Sequence, residues 1–324
     1  MIEFRTRIYL NGQWLAPPEA RVSVMDRGFL FGDGVYEVIP VYSRRPFRLN
    51  EHLTRLQQSL KGIQLGNPHP LDHWRTLVLK LAADAEWEDQ SICIQVTRGP
   101  MEVRNHAFPA VINPTVMIMA EPLTTPPATL RATGIATVSA ADIRWLRCDL
   151  KTTSLLANCL LRQYAVTHGC AETVLFRDGF LTEGAASSIL VVKDGVLLAP
   201  IKNHLMLPGI TYDVVLELAA THGLPCVVRD ITEEETRNAD ELWMASSTKE
   251  VLPIATLDGN RIGRTDNSPV GADETNAAKA TAQQGGCAND TLLAVADDGT
   301  PSFPVYSRMI AWYQSYKQEV MRHG

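Results

Sequence analysis

The sequence predicts a mixed α/β (α+β) protein of two domains. Three observations carry that expectation. Short alternating apolar runs interleave with amphipathic helical stretches along the whole chain. Asp-Gly and Asn-Gly turns separate many of the strand-like runs. A proline-rich stretch, Glu121-Pro122-Leu123-Thr124-Thr125-Pro126-Pro127, interrupts the pattern and excludes regular structure. The expected division is a smaller domain over 1–120, a linker over 121–128 and a larger domain over 129–324.

Taken in order, residues 7–15 alternate around Asn11-Gly12, a two-residue hairpin turn. Val22 to Val24 reads as a short strand. Three glycines, Gly28, Gly32 and Gly34, then allow sharp turns or close backbone approach before a strand over Val35–Tyr42. Alternation puts Tyr36 and Val38 on one face of that strand and Glu37 on the other. A helix opening at Leu49 carries a stripe of Leu53, Leu56, Leu60 and Ile63, with Arg55 off it. A second helix spans about 71–85 with Leu77, Leu79 and Leu81, and Ser91–Val96 is a buried strand. An irregular segment presents Arg104 and His106 two residues apart, two groups that could grip one anion. Val116–Met119 closes the first half as a strand.

In the second half, Leu150-Lys151-Thr152-Thr153-Ser154 places a lysine before a helix. That helix is expected to start on these hydroxyls and to bury Leu155, Leu156, Cys159 and Leu160. Two hairpins turn at Asp178-Gly179 and Asp194-Gly195, with Glu183 among small residues between them. A carboxylate in such a setting needs a charged or protonated partner. Gly209, with Thr211 as N-cap, begins a helix that ends at Gly223, and its free amides form an anion site. A strand over Leu242–Ala245 ends in Ser246-Ser247-Thr248, whose hydroxyls either donate to an anion or cap a short helix. Residues 265–300 read as a flexible insertion, and an amphipathic helix runs from Tyr306 to Met321.

Composition narrows the function. The 324 residues carry a formal net charge of −6, which disfavours a nucleic-acid or anionic-membrane surface. No apolar run approaches the roughly 20 residues that span a bilayer. The N-terminus, Met1-Ile2-Glu3-Phe4-Arg5, lacks the blocks of a signal peptide. Six cysteines without close pairs suggest neither a disulfide framework nor a metal site. A cytoplasmic enzyme acting on small molecules is the expected class.

The chemistry converges on Lys151. A lysine partly withdrawn from water loses proton affinity and becomes an amine nucleophile suited to imine (Schiff-base) formation with an aldehyde. Glu183 could pair with a ring nitrogen, Arg55 with a phosphate, and Ile210, Thr211 and Ser247 with its remaining oxygens. Together these are the needs of a phosphorylated pyridine aldehyde.

The stretches Asp26–Val38, Asn50–Leu56, Ile143–Lys151, Thr182–Gly184 and Gly209–Thr211 resemble the fold-type IV, class IV pyridoxal-phosphate aminotransferases. The resemblance covers nearly everything outside 265–300. It implies pyridoxal 5'-phosphate as cofactor, borne by Lys151, with Glu183 on the pyridine nitrogen and Arg55 on the phosphate. Ile210, Thr211, Ser246 and Ser247 would complete the phosphate cup, and Leu207 would pack on the ring. Within the family the likeness is to the D-amino acid branch, where a tyrosine, an arginine and a histidine trap the substrate carboxylate. Tyr36, Arg104 and His106 hold those places. The implied reaction is D-alanine plus 2-oxoglutarate to pyruvate and D-glutamate by double displacement, in a homodimer whose partner's loops help build the site. A branched-chain L-aminotransferase, an (R)-selective amine transaminase or an aminodeoxychorismate lyase on the same scaffold is the alternative. A cofactor-binding relative without turnover is another. Two departures stand out: Ser188, where many relatives carry Asn, and the 265–300 insertion. Ser188 is expected to alter how the Glu183 loop is held.

Overall fold

The computed structural model describes residues 7–263 and 302–323, so the expected insertion over 265–300 lies outside the described residues. In chain order the first half runs β1 (Ile8–Leu10), β2 (Gln13–Leu15), α1 (Arg27–Phe31), β3 (Gly34–Tyr42), β4 (Arg45–Pro46), α2 (Leu49–Gly62), α3 (Leu71–Asp84), β5 (Gln90–Thr97) and β6 (Thr115–Pro122). These strands form one antiparallel sheet, ordered β2-β1-β6-β5-β3-β4. The Asn11-Gly12 turn forms with both residues at positive φ. Leu53, Leu56 and Leu60 of α2, with Trp74, Val78 and Leu81 of α3, cover Ile39, Ile92, Ile94 and Ile118 of the sheet. One expectation fails here: Val22 to Val24, read as a short strand, lies in an exposed non-strand segment.

β6 ends at Pro122 and the next helix starts at Ala128, which leaves 123–127 between the two sheets. The second half runs α4 (Ala128–Thr133), β7 (Ile135–Ala141), α5 (Leu156–Thr167), β8 (Glu172–Arg177), β9 (Phe180–Gly184), β10 (Ser188–Lys193), β11 (Val196–Ala199), α6 (Ile210–Thr221), β12 (Cys226–Val228), α7 (Glu233–Arg237), β13 (Glu241–Ser246), β14 (Glu250–Leu257), β15 (Asn260–Arg261) and α8 (Pro304–His323). The sheet order is β12-β11-β10-β13-β14-β7-β8-β9, with β15 on β14. β7 lies parallel to both β8 and β14, and the hairpins are antiparallel. Both faces are covered. Leu190, Val192, Trp243 and Val251 pack under α6 and α8, while Ile189, Val191, Leu242, Met244 and Ile254 pack on the other side. Burial on both faces is why β10 reads as an unbroken apolar run rather than an alternating one. No helix of the described residues is long and apolar enough to cross a membrane.

Three local expectations are corrected. α5 begins at Leu156, with Leu155 as N-cap and no side-chain cap, because the Thr153 and Ser154 hydroxyls donate to the Gly32 carbonyl instead, at 2.9 and 3.1 Å. Its buried face is Leu161 and Ala165, whereas Leu156 is 75% and Leu160 56% exposed. Residues 247–249 form the hairpin turn between β13 and β14, so no helix follows Ser246.

Candidate active site

Lys151 is fixed from two sides. The Tyr36 amide donates to the Lys151 carbonyl at 2.9 Å, the Thr153 amide donates to the Gly34 carbonyl at 3.0 Å, and Val35 bridges Thr152. The segment after the lysine is therefore stitched to β3 of the first sheet. The Lys151 amide donates to Ser59 Oγ of α2 at 3.2 Å. Gly62 lets the end of α2 close on this segment, since a Cβ there would meet Leu150 Cδ2 at 2.3 Å. The Lys151 ammonium lies 4.3 Å from the centre of the Tyr36 ring, a cation–π contact.

Glu183, near the end of β9, is buried rather than turn-exposed. Burial pushes its pKa up to about 7, and the Arg144 guanidinium, ion-paired to its Oε1, opposes that rise. The Leu207 amide donates to Oε2 at 3.1 Å. Arg144 is aimed by Asp142, which accepts from its Nε at 2.9 Å and its Nη2 at 2.8 Å. The loop after Glu183 hangs on buried Glu172, which accepts from the Ala185 amide at 3.1 Å and from Ser187 Oγ at 2.8 Å. Ser188 sits instead against Gly209, where an added Cβ would meet its Oγ at 2.7 Å. Ser188 thus bears on the approach to α6, and Glu172 with Ser187 holds the Glu183 loop.

α6 starts from Gly209, which displaces Thr211 from the expected N-cap to the second helical position. No side chain caps this end, so the first amides and the positive end of the helix dipole are left for an anion. Arg55 is 5% exposed and not a solvated helix residue. Its Nε and Nη2 grip Glu37 at 2.9 and 2.6 Å, and its Nη1 donates to the Pro208 carbonyl at 2.8 Å. His52 completes the cluster, with Nδ1 2.9 Å from Glu37 Oε1. Burial alone would raise the Glu37 pKa, but Arg55 and His52 together hold it well below the usual carboxylate range. Ser246 closes its own turn by accepting from the Lys249 amide at 3.2 Å.

These groups share one cleft of about 570 Å³. Tyr36, Arg55, Lys151, Glu183, Leu207, Ile210, Thr211, Ser246 and Ser247 all line it. Arg104 and His106 do not. They stand on an exposed loop between β5 and β6, 4.9 Å and 5.0 Å from the Phe31 ring. Sequence reasoning missed Arg144, Glu37 and His52. The demand of Glu183 for a cation pointed toward Arg144, which lies on the stretch leading to Lys151. Nothing local marked Glu37 or His52.

Residues 34–257 match the family described as amino-transferase class IV. The chain belongs to the class IV aminotransferases. It is 37% identical over 257 residues to the D-alanine aminotransferase of Staphylococcus aureus, covering 79% of this chain and 90% of that one. Among solved structures it superposes on the branched-chain amino acid aminotransferase of Escherichia coli with a TM-score of 0.74 at 26% identity, covering 80% and 88% of the two chains. A hypothetical aminotransferase from Mycobacterium tuberculosis in its PLP-bound form gives 0.69 at 25% identity, covering 81% and 94%. The architecture of this class IV enzyme is accordingly fold-type IV.

The residues present fit pyridoxal phosphate. A lysine amine and a buried, arginine-paired carboxylate face one cleft, with an uncapped helix start and hydroxyls also on its wall.

Proposed function

We propose that the protein transfers amino groups between D-amino acids and 2-oxo acids, with D-alanine and 2-oxoglutarate as a representative pair, using pyridoxal 5'-phosphate. The observation that carries this reading is the joining of Lys151, Glu183 and the α6 start in one cleft, in a chain 37% identical to a D-alanine aminotransferase.

When bound, the cofactor supplies an aldehyde that accepts the amino group and a ring that takes up the electron pair left by the departing α-proton. Lys151 Nζ is the amine that would hold the aldehyde, and as a free amine it would be the base that moves the substrate's α-proton. Glu183 would hold the proton on the ring nitrogen, and Arg144, ion-paired to it, favours the ionised carboxylate that this would require. Ile210, Thr211, Ser246 and Ser247 would hold the phosphate, with Arg55, fastened by Glu37, beside them, and Leu207 would pack on the ring. Tyr36 meets the substrate carboxylate together with Arg104 and His106.

The last two stand outside this chain's own cleft, which supports a homodimer in which each loop serves the partner's site. The exposed apolar set Phe29, Trp145, Leu146, Leu156 and Leu160 supplies a surface for that second copy. The two sheets, with residues 123–127 between them, support a two-domain division. The free thiols of Cys93, Cys148, Cys159, Cys170 and Cys226 support a cytoplasmic setting.

The test is a screen of paired D- and L-amino acids with 2-oxoglutarate. D-alanine should yield pyruvate, and Lys151→Ala should lose the activity by at least about a thousandfold. Faster turnover of L-leucine or L-valine would replace this reading with the branched-chain one.

A further inference from the structure

The stretch Asp26–Asp33 contributes no residue to the cleft around Lys151. Its most heavily bonded member is Arg27, which is 3% exposed. Arg27 Nη1 donates to the carbonyls of Asn105 at 2.6 Å and Ala107 at 3.1 Å, and Nη2 donates to the carbonyl of His106 at 2.9 Å. Three successive carbonyls of one loop thus converge on one planar cation. Nε is held by Asp33 Oδ2 at 2.7 Å.

Asp33 is fixed in turn by Arg98, through Nε at 2.8 Å and Nη2 at 3.0 Å. The fully buried Arg98 guanidinium lies 3.6 Å from the centre of the Phe108 ring, on the far side of the same loop. Asp26 anchors the start of α1, accepting from the Gly28 amide and from the Thr97 and Thr115 hydroxyls at 2.6–2.8 Å. One turn beyond Arg27, Phe31 meets the Arg104 guanidinium and the His106 ring. α1 therefore clamps the loop backbone with one residue and backs its two functional side chains with another.

We infer that Arg27 is a positioning residue for substrate recognition: by fixing the backbone at Asn105, His106 and Ala107 it sets where Arg104 and His106 meet a substrate carboxylate. The inference rests on the proposed reading that those two residues take that carboxylate. Arg27 does not touch substrate. Its planar fork satisfies three carbonyls and a carboxylate at once, which a lysine cannot match. Without it the carbonyls lose charge-assisted donors and the loop loses its register. Displacements of about 1 Å suffice to weaken a carboxylate clamp.

The test uses the holoenzyme variants Arg27→Ala, Arg27→Lys and Arg104→Ala, with steady-state kinetics on D-alanine and 2-oxoglutarate and amide exchange across residues 101–109. Arg27→Ala should raise KM for both substrates about tenfold while kcat stays within about threefold. Arg27→Lys should give a smaller rise, and it keeps the measurement possible should the alanine variant not fold. Exchange should quicken in 101–109 and not in β3. If Arg104→Ala raises KM and both Arg27 variants leave it unchanged, the inference is overturned while the functional reading stands. If Arg104→Ala itself leaves KM unchanged, the carboxylate reading fails and takes the inference with it. A fall in kcat alone, with faster exchange spread through β3 and β5, assigns Arg27 a purely structural role and overturns the inference.

Discussion

Glu183 and Glu37 are two buried carboxylates, each facing an arginine, whose environments push them in opposite directions. For Glu183 burial outweighs Arg144, and its pKa rises to about 7. For Glu37, Arg55 and His52 outweigh burial. The linkage signs follow. In the ligand-free protein Glu183 keeps a proton that the unfolded chain releases near 4.5, so its stabilising contribution is present below that pH and lost as pH rises through about 7. Glu37 contributes above its unfolded value, and that contribution is lost as pH falls below about 4.5. Melting curves should therefore show Tm declining between pH 4.5 and 7 for the unaltered ligand-free protein, and Glu183→Gln should lose that decline. Removing the opposing cation with Arg144→Gln should raise the Glu183 pKa further. The acid limb of the rate profile then moves to higher pH. Activity at pH 7 falls about tenfold for each pH unit the limb moves, and it recovers in more alkaline buffer. Lys151 and Glu183 could be picked out as candidates from the sequence because the expected chemistry demands those residue types, and both line the one cleft. Arg144 and Glu37 could not be, because their partners lie 39 and 18 residues away and only folding brings them together.

Among the elements, α8 shows how far a terminal helix can be governed by a strand. Glu241 of β13 accepts from the amides of Val305 at 2.7 Å and Tyr306 at 2.8 Å, and so caps α8 from another part of the chain. Glu241→Ala should lower stability by about 1–2 kcal/mol, read as a drop in Tm, because two helix-start amides lose their acceptor. At the next strand, fully buried Glu250 accepts from Arg131 at 2.6 Å, Gln314 at 2.7 Å and Lys317 at 2.7 Å. The hairpins and α2, α3 and α6 were legible because Asp-Gly turns and apolar spacing are local signals. The start of α5 was not. A Thr-Thr-Ser run resembles an N-cap, yet the carbonyl of Gly32, at the end of α1, competes for the hydroxyls of Thr153 and Ser154 and wins. The same local view misjudged the outer face of α5, since helical spacing alone placed Leu156 and Leu160 in the core, where the folded chain leaves them exposed.

At the scale of the whole molecule, the proposed homodimer would build each site from the cleft of one chain and the Arg104–His106 loop of the other, since neither residue lines its own chain's cleft. At substrate concentrations well below the raised KM, Arg104→Ala homodimers should be nearly inactive, as should Lys151→Ala homodimers at any concentration. Mixing and reassembling them should restore about a quarter of wild-type activity, because half of the dimers then carry one intact site. Activity that stays absent on mixing would place Arg104 in its own chain's site. Leu156→Asp with Leu160→Asp should give a monomer by light scattering and a matching loss of turnover.

The brace behind the proposed phosphate cup has a consequence in time. Tyr313 of α8 faces the Thr211 hydroxyl, and Lys317 and Gln314 hold Glu250 at the foot of the turn that carries Ser246 and Ser247. The ribosome makes those cup residues well before it makes the helix behind them. If the proposed cup is right, a chain halted short of Pro304 should contain the lysine, the carboxylate, the threonine and both serines and yet bind the coenzyme more weakly than the full chain, because the brace from Tyr313, Gln314 and Lys317 is missing.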